Sequence, residues 1–386
     1  MLSAAHIFVL VLKVGALGEA KRQVIVILIA RSFANSRRIR RRRQGENRPA
    51  IKPKYQTLRV YYIVSSKMKL QTGVILDRAS LDVGDLDLSG LNHPISHWQS
   101  YDHSSASETY HRVKNSQVVI SNKVVIDASL LSQLSQLRLI CVAATGTNNV
   151  DLVVAEKHHI AVCNVTGYAT PSVVQHVFAL IFALHTHLCE YRQLVKQNEW
   201  QKSKHFCLLN YPIAELAGKT LGIIGYGELG KAVASAAQAF GLQVLIAQSL
   251  TGPASADRVS LDRLLSSADI VSLHCPLTDQ THNLINAAML AKMKTTSILI
   301  NTARGGIVNE QDLLDALLNK QIAAAGLDVL SEEPPRNNVL LRHPLPNLMI
   351  TPHIAWASQA SRQRLINEVG KNIEAFYQGE RRNRVV

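Results

Sequence analysis

Three polar residues late in the chain are of the types that enzymes use to bind an anion and to move a proton. Arg304 follows an apolar run that ends at Asn301. Glu333 stands five residues after Asp328, and His353 follows a Thr-Pro pair. A guanidinium can hold both oxygens of a carboxylate, and an imidazole can give or take a proton near neutral pH. Each residue alone is more often structural, but all three behind a nucleotide-binding motif predict acid–base chemistry.

That motif is the glycine-rich segment Gly225-x-Gly227-x-x-Gly230, which lies between a predicted strand at 220–224 and a predicted helix at 231–240. The first glycine permits a tight turn, the second lets the backbone approach a pyrophosphate, and the third lets helix and strand pack closely. Free N–H groups at the start of the helix would then bind the pyrophosphate. We therefore predict dinucleotide contacts at Gly225, Gly227, Glu228, Leu229 and Gly230.

Gln248 occupies the end of the next predicted strand, at 243–247, where an Asp or Glu usually binds the adenosine ribose. A neutral amide can still form a hydrogen bond with a hydroxyl group, and it does not repel a 2′-phosphate. No Arg follows directly, and Arg258 is only a distant candidate for such a phosphate. We predict that Gln248 contacts the cofactor, with NAD as the first choice and NADP as the alternative.

The formal net charge of +14 is concentrated in the first part of the 386-residue chain. Residues 1–67 contain 15 Lys and Arg and 2 Asp and Glu, which leaves the remaining residues with a net charge of +1. A neutral body has no basic face for a phosphate backbone, so nucleic acid is not an expected partner. The five cysteines are scattered without a C-x-x-C pair, so the sequence predicts neither a disulfide framework nor a metal site.

The basic leader, residues 1–67, contains two apolar runs too short to span a membrane and an Arg cluster at 37–43. An Arg-rich and acid-poor leader is typical of an organelle transit peptide. The interpretation we favour is that translation begins at Met68, so that the leader is untranslated or disordered. A nucleic-acid-binding arm is a third alternative. We predict no membrane partner and expect a cytoplasmic protein.

From Met68 onward, short apolar runs alternate with helical stretches, which is typical of parallel α/β units. The segment 172–191 is apolar and free of Gly and Pro, which predicts one long buried helix. Shorter helices are predicted at 261–267 and 311–319. The predicted strands lie within 69–77 and at 117–120, 137–142, 162–165, 220–224, 243–247, 269–274, 297–301, 323–327 and 348–351.

The segments around Arg304, Glu333 and His353 resemble the signature blocks of the D-isomer-specific 2-hydroxyacid dehydrogenases. The similarity extends over the chain after the leader, and the Asn122-Lys123 pair is most similar to the glycerate dehydrogenase, or hydroxypyruvate reductase, group of that family. The resemblance implies hydride transfer between NAD and a small 2-keto or 2-hydroxy acid. Glyoxylate reduction and 3-phosphoglycerate oxidation are alternatives within the family, and a non-catalytic nicotinamide sensor is the alternative outside it.

The resemblance also implies roles for individual residues. Arg304 would hold the substrate carboxylate, His353 would donate the proton, and Glu333 would accept a hydrogen bond from the imidazole. The implied substrate contacts are Asn122, Gly146, Thr147 and Arg304. Beyond the glycine turn and Gln248, the implied cofactor contacts are Pro276, Thr302, Ala303, Asp328 and His353.

For the architecture, the resemblance implies an α/β protein with two Rossmann-like domains, each a doubly wound parallel sheet, and an active site in the cleft between them. The dinucleotide-binding domain is expected at 168–352. The substrate domain is expected to be discontinuous, at 68–167 and 353–386. The expected assembly is a homodimer, and the expected partner is the small keto or hydroxy acid.

Overall fold

The computed structural model describes residues 70–250 and 252–386, and in the leader it describes two strands, β1 (His6–Val11) and β2 (Val26–Arg31). These two strands pair antiparallel. The rest of the leader lies outside the described residues, so the three interpretations of residues 1–67 stay predictions. Leu70–Val386 forms a compact unit of its own.

The first sheet of this unit contains five parallel strands in the order β4-β3-β5-β6-β7. Every residue of β5 and β6 is buried, as is usual where helices cover both faces of a parallel sheet. The elements of this part are β3 (Thr72–Ile75), β4 (His97–Ser100), α1 (Ala106–Val113), β5 (Val118–Ser121), α2 (Ala128–Leu131), β6 (Leu139–Val142), α3 (Leu152–Lys157) and β7 (Ala161–Cys163).

The second sheet contains six parallel strands, and its elements follow two helices, α4 (Thr170–Thr186) and α5 (Leu188–Lys196). They are β8 (Thr220–Ile224), α6 (Glu228–Ala239), β9 (Gln243–Ile246), α7 (Leu261–Ser267), β10 (Ile270–Leu273), α8 (Ala287–Leu290), β11 (Ile298–Asn301), α9 (Glu310–Leu318), β12 (Ala324–Leu327) and β13 (Leu348–Ile350). The strand order is β13-β12-β11-β10-β8-β9. The chain adds β9 on one side of β8 and all later strands on the other side, so the strand order switches at β8 and β10. Ligands of open α/β sheets bind at the carboxyl ends of strands at such a switch point.

Two long helices cover the sheets. Helix α4 packs against α6 and against β11 and β12 of the second sheet. The last helix, α10 (Gln359–Tyr377), packs against β6 and buries Leu365 and Val369 in the core of the first sheet. The predicted α/β fold with two parallel sheets is confirmed, whereas the predicted domain ranges 68–167 with 353–386, and 168–352, stay predictions.

The prediction of a single helix at 172–191 is wrong. Helix α4 ends at Thr186 and α5 starts at Leu188, because His187 adopts a left-handed backbone with φ +50 that interrupts the helical conformation. The absence of Gly and Pro did not reveal the break, since a His can also adopt this conformation. Strand β4 was not predicted because it is short, mostly polar and largely exposed. Helix α6 begins three residues earlier than the predicted Lys231.

Within residues 70–250 and 252–386, each helix taken singly is too short or too polar to cross a membrane. Helices α4 and α5 reach the required length and hydropathy only when they are joined, and a bend of 60° separates them. Eight residues of α4 are buried inside the protein, so its apolar character is explained by core packing.

Candidate active site

The glycine turn after β8 has the shape that a dinucleotide requires. Gly225 has φ +98, and a Cβ there would lie 2.4 Å from the backbone nitrogen of Cys275. A Cβ on Gly230 would lie 2.2 Å from the carbonyl oxygen of Gly225, so α6 can approach β8 only with glycine at this position. A Cβ on Gly227 would meet nothing within 4 Å. The turn is therefore tightly packed at two glycines and open at the third, where a pyrophosphate fits.

Helix α6 begins at Glu228, directly after this turn. The Thr170 hydroxyl donates to the Glu228 carboxylate, with Oγ1 and Oε1 2.5 Å apart, and the same carboxylate lies next to Gly167. The predicted residues Gly227, Glu228 and Leu229 all border the pocket in front of the turn. This nucleotide pocket is lined by Thr145, Thr166, Gly167, Ala169, Thr170, Gly227, Glu228, Leu229 and His274.

Gln248, just beyond β9, uses its amide to hold a loop. Its Nε2 donates to the carbonyl oxygens of Ser255 (2.8 Å) and Arg258 (3.1 Å), and the Ser255 N–H donates to its Oε1 (3.0 Å). Both ends of the amide are therefore committed to the loop 252–258. The predicted contact between Gln248 and the cofactor stays a prediction, and the structure gives this side chain an additional role as a loop anchor.

His353 and Glu333 form a hydrogen-bonded pair, with Nδ1 and Oε2 2.6 Å apart. Burial alone would raise the pKa of Glu333, but the hydrogen bond and charge of His353, the Leu330 N–H and the Lys123 ammonium hold that pKa below its ordinary value. Glu333 is therefore a carboxylate at neutral pH and can only accept, so Nδ1 of His353 carries a proton. This leaves Nε2 as the nitrogen that can exchange a proton with a substrate.

Asp328 is 1% exposed and holds the turn that carries His353. Its carboxylate accepts hydrogen bonds from the N–H groups of Ile354 (2.9 Å) and Ala355 (2.8 Å) and from the Thr351 hydroxyl (2.6 Å). His353 has φ +54, in the left-handed region that non-glycine residues rarely adopt. The hydrogen bonds to Asp328 stabilise this backbone and so fix the direction of the imidazole. The predicted cofactor contact of Asp328 stays a prediction.

Arg304 follows β11 and stands beside the loop that follows β6. A Cβ on Gly146 would lie 3.3 Å from Arg304 Nη2, and Arg304 Nη1 donates to the carbonyl oxygen of Ala303 (2.7 Å). The neighbouring Thr302 Oγ1 is buried and has no hydrogen-bond partner among the described residues. A buried hydroxyl without a protein partner is suited to bonding a ligand in the cleft.

Arg304 and His353 line one open pocket with a volume of about 180 Å³, which we call the substrate pocket. The N–H groups of Asn122 (2.9 Å) and Lys123 (2.7 Å) donate to the Asp77 carboxylate, which fixes their loop at the pocket. Six predicted site residues, Asn122, Gly146, Leu229, Thr302, Arg304 and His353, thus meet here. The remaining lining residues are Lys123, Ala144, Thr145, Tyr168, Ala169, Val173, Ala355 and Trp356.

Comparison with known proteins agrees with this geometry. The family described as D-isomer specific 2-hydroxyacid dehydrogenase, NAD binding domain, matches residues 178–355. The chain is 43% identical over 311 residues to a glycerate dehydrogenase of Methylorubrum extorquens, which covers 80% of this chain and 97% of that protein. It is 39% identical over 314 residues to a hydroxypyruvate reductase of Blautia hydrogenotrophica, and the match covers 79% of this chain and 97% of that protein.

The chain belongs to the D-isomer-specific 2-hydroxyacid dehydrogenases. A crystal structure of a protein from Thermus thermophilus has the same fold, with a TM-score of 0.73 at 32% identity over 82% of this chain and 100% of that one. The dehydrogenase is thus an NAD-linked oxidoreductase of 2-hydroxy acids, as the sequence predicts. The residues present fit NAD, since Gly225 and Gly230 form the tight turn that a dinucleotide needs and the open Gly227 lines the nucleotide pocket.

Three residues of the substrate pocket in this dehydrogenase were missed by sequence reasoning. Partial burial lowers the pKa of Lys123, and the nearby charge of Arg304 adds to this effect. Burial raises the pKa of Tyr168 to about 12, so its hydroxyl stays protonated. Its ring packs edge-on against Trp356, with centroids 6.3 Å apart. Of these residues, only Lys123 could have been found from the sequence, because it follows Asn122 in the pair that resembles the glycerate dehydrogenase group.

Three further predicted contacts of the dehydrogenase, like Gln248 and Asp328, are not among the lining residues of the two pockets. Thr147 follows Gly146 in the loop after β6. The Ala303 N–H is occupied, because it donates to the side-chain oxygen of Asn301 (3.0 Å). Pro276 is exposed and follows β10. The roles of Thr147, Ala303 and Pro276 in ligand binding stay predictions.

His274, at the nucleotide pocket, should make the stability of the dehydrogenase sensitive to acid. Burial lowers its pKa from 6.5 to about 4, so between these values the unfolded chain binds a proton that the folded chain does not. The free energy of unfolding therefore decreases as the pH falls through this window. For a fully buried ring, this pKa shift would correspond to about 3 kcal/mol of unfolding free energy. We expect about 1–2 kcal/mol because the ring borders an open cleft.

Urea unfolding at about pH 7 and about pH 5 measures this effect. In a His274→Gln variant, the loss of stability between the two pH values should be smaller than in the wild type. His343→Gln, which replaces an exposed histidine, is the matched control and should keep the wild-type dependence. Equal losses in the wild type and His274→Gln would contradict the prediction.

Proposed function

We propose that this dehydrogenase interconverts hydroxypyruvate and D-glycerate, with NADH as the reductant. One observation carries the proposal: His353 pairs with Glu333 at 2.6 Å and borders the same pocket as Arg304. The names of the two relatives, glycerate dehydrogenase and hydroxypyruvate reductase, support the choice of substrate. The polar loop with Asn122 and Lys123 supports it too, because hydroxypyruvate carries a C3 hydroxyl group.

In this proposal, the substrate is held by two cations. The planar guanidinium of Arg304 can bond both oxygens of the carboxylate and so fixes the plane of the keto acid. Lys123 adds a second positive charge to the same pocket, and we propose that its ammonium bonds the C3 hydroxyl. Two cations in a partly enclosed cleft attract an anionic substrate. The side-chain nitrogen of Asn122 donates to Ser80 Oγ (3.0 Å), which fixes this end of the pocket.

His353 is proposed to deliver the proton. In reduction, the carbonyl oxygen gains negative charge and takes the proton from Nε2 of the imidazolium. Glu333 accepts the Nδ1 hydrogen bond before and after this transfer, which keeps the ring in one orientation. In the oxidation of D-glycerate, the neutral ring takes the proton back. Glu333 therefore acts on the substrate only through His353.

Bound NADH supplies the hydride. The chain would hold the cofactor at the glycine turn, where Gly227 leaves room for the pyrophosphate. Apolar side chains on the wall of the substrate pocket, among them Val173, Leu229 and Trp356, exclude water from the reacting carbon. The Thr302 hydroxyl is a further hydrogen-bonding group at this wall.

The test is the decrease in NADH absorbance with the full chain and four keto acids: hydroxypyruvate, glyoxylate, pyruvate and 3-phosphohydroxypyruvate. We expect kcat/KM for hydroxypyruvate to exceed that for pyruvate by about tenfold. The reason is that a hydrogen bond to a charged group, here the partly solvent-exposed Lys123, contributes about 1.5 kcal/mol. A fluorescence titration with NADH alone serves as the control for folding and cofactor binding.

Other outcomes would change the proposal in defined ways. A higher kcat/KM for glyoxylate or for 3-phosphohydroxypyruvate would replace the substrate but leave the roles of Arg304 and His353 in place. NADH binding without turnover of any keto acid would contradict the proposal and favour a nicotinamide sensor. A cytoplasmic location stays a prediction, which cell fractionation checks.

We propose a homodimer as the assembly. The stretch 188–213 exposes large apolar side chains that water does not favour, and such exposure is typical of a protein contact. They are Leu188 (60% exposed), Val195 (50%), Trp200 (53%), Phe206 (90%), Leu209 (83%) and Ile213 (60%). Light scattering after size exclusion should give a dimer for the wild type and monomer for a Phe206→Ser, Leu209→Ser variant. Val153→Ser, which removes another exposed valine (78%), is the control and should stay dimeric.

A further inference from the structure

The loop that carries Glu333 has few packing contacts of its own, because residues 331–337 are all exposed. A loop without buried apolar side chains is held mainly by its hydrogen bonds. A second glutamate, Glu332, directly precedes Glu333, and its Oε1 lies 4.0 Å from Arg336 Nε in an exposed pair. A shift of the loop by one residue would therefore present Glu332 to His353 in place of Glu333.

Glu310 forms hydrogen bonds to both ends of this loop. Its Oε1 accepts from the Ser331 N–H (2.7 Å), and its Oε2 accepts from the Ser331 hydroxyl (2.8 Å) and from the side-chain nitrogen of Asn338 (2.7 Å). Asn338 is itself buried, and its Oδ1 accepts from the Leu340 N–H (2.9 Å). One carboxylate thus joins the first residue of the exposed loop to the buried residue that follows it.

The backbone that carries Glu310 is well supported. Glu310 is the first residue of α9, a helix that buries Leu313 and Leu317 in the core of the second sheet. The Asn309 side chain caps the same helix by accepting from the Asp312 N–H (3.1 Å). Core packing and the cap therefore fix the position from which Glu310 holds the loop.

A short series of contacts leads from Glu310 to the proposed proton donor. Ser331, which Glu310 holds, follows Leu330, and the Leu330 N–H donates to Glu333 Oε1 (3.1 Å). The other oxygen of Glu333 bonds Nδ1 of His353 (2.6 Å). The direction of the Glu333 carboxylate thus depends on the position of Leu330, and Glu310 fixes the backbone next to Leu330.

We propose that Glu310 is a positioning residue for the reduction, because it sets the register of the loop in which Glu333, and not Glu332, faces His353. Glu310 is not among the lining residues of the two pockets, so it acts on the rate through the loop. This role rests on the proposed function, in which Glu333 orients the acid. Loss of Glu310 should lower kcat and leave KM almost unchanged, since Arg304 still binds the keto acid.

The experiment is a double-mutant cycle of the full chain with Glu310→Ala, Glu333→Gln and the double variant. The readout is kcat at saturating NADH for the keto acid that the wild type reduces fastest. Glu310→Ala should lower kcat by about tenfold, because a misplaced acid slows the reaction, and should change KM by less than about threefold. In the Glu333→Gln background, the same substitution should lower kcat by less than about twofold, because the two residues act as one unit.

Asp312→Ala is the matched control. Asp312 lies in the same first turn of α9, and its Oδ2 accepts from the Ala287 N–H at the start of α8 (2.8 Å). The control removes a carboxylate that bonds a backbone N–H away from the loop, so kcat should stay within about twofold of the wild type. The Kd for NADH, measured by fluorescence without substrate, should stay within about threefold in every variant and so reports on folding.

Glu310→Gln keeps the shape of the side chain and serves if Glu310→Ala does not fold. Its single oxygen can still accept from Ser331, but its NH₂ group cannot accept from Asn338. We expect a loss of about threefold in kcat, between the wild type and Glu310→Ala. The same cycle with Glu333→Gln then tests whether this smaller loss also disappears.

Two results would overturn the proposal while leaving the pair of Glu333 and His353 in place. The first is a full additional loss when Glu310→Ala or Glu310→Gln is combined with Glu333→Gln, which would mean that Glu310 acts elsewhere. The second is an equal fall of kcat in Asp312→Ala and Glu310→Ala, which would assign the effect to the stability of α9. A wild-type kcat in Glu333→Gln would instead remove the role of the pair, and the role of Glu310 with it.

Discussion

We expect a His353→Gln variant to reduce hydroxypyruvate with a kcat about 10²- to 10⁴-fold below that of the wild type, which is the usual contribution of a positioned general acid. Glutamine can occupy the space of the ring and accept a hydrogen bond, but it cannot supply a proton. The Kd for NADH, measured by fluorescence without substrate, should stay within about threefold, since the glycine turn is untouched. Pre-steady-state absorbance would show whether the lost step is the reduction itself.

Glu333→Gln is the companion variant, because it keeps the shape of the pair with His353 but removes its charge. The neutral amide gives the imidazolium no opposite charge, so kcat for reduction should fall by about 10- to 100-fold, because a hydrogen bond to a charged group contributes about 1.5–3 kcal/mol. In the wild type the pKa of Glu333 lies below its ordinary value of 4.5, so the carboxylate and its pair with His353 should persist in mild acid. An unchanged kcat in Glu333→Gln, or wild-type turnover in His353→Gln, would contradict the assignment of the acid.

Arg304 should be the second position of large effect. Removing one partner of a hydrogen-bonded charge pair costs about 2–5 kcal/mol, so Arg304→Ala should lower kcat/KM for hydroxypyruvate by about 10²- to 10³-fold. Arg304→Lys should recover less than about tenfold of this loss, because an ammonium lacks the planar fork that orients the carboxylate. Steady-state kinetics at saturating NADH measure both variants.

Lys123→Met removes a charge from the same pocket and provides the comparison for Arg304. We expect a loss of only about tenfold, mostly in KM, because Lys123 meets the substrate as a point charge with part of its side chain in solvent. A wild-type rate in Arg304→Lys would show that the guanidinium geometry is not required. A parallel rise of the NADH Kd in Arg304→Ala would move its role from the substrate to the cofactor.

The sequence predicts those parts of the site that local chemistry determines. The glycine turn is an example, because the φ of Gly225 and the close contact at Gly230 are required by a few consecutive residues. The meeting of Arg304 and His353 in one pocket also follows from the sequence, since the carboxyl ends of parallel strands lie at one edge of a sheet. The resemblance to the family then identified Glu333 as the hydrogen-bond partner of His353.

Other parts of the site depend on long-range packing, which the residue pattern does not encode. The amide of Gln248 bonds a loop up to ten residues away, and the carboxylate of Asp328 bonds the backbone beyond His353. Tyr168 carries no motif, and its position in the pocket follows only from the packing of the two sheets. The break at His187 likewise has no signal in composition.

The attachment of Asp328 to the turn that carries His353 has a consequence for the order of events. Arg304, Glu333 and His353 follow β11, β12 and β13 of the six-stranded sheet, whereas Asn122 and Gly146 follow β5 and β6 of the five-stranded sheet. A separation of the two sheets would therefore carry the proton donor and the glycine turn away from Gly146 together, with their mutual alignment preserved. Each catalytic cycle would then need to realign only the keto acid, the one participant that must enter and leave at every turnover.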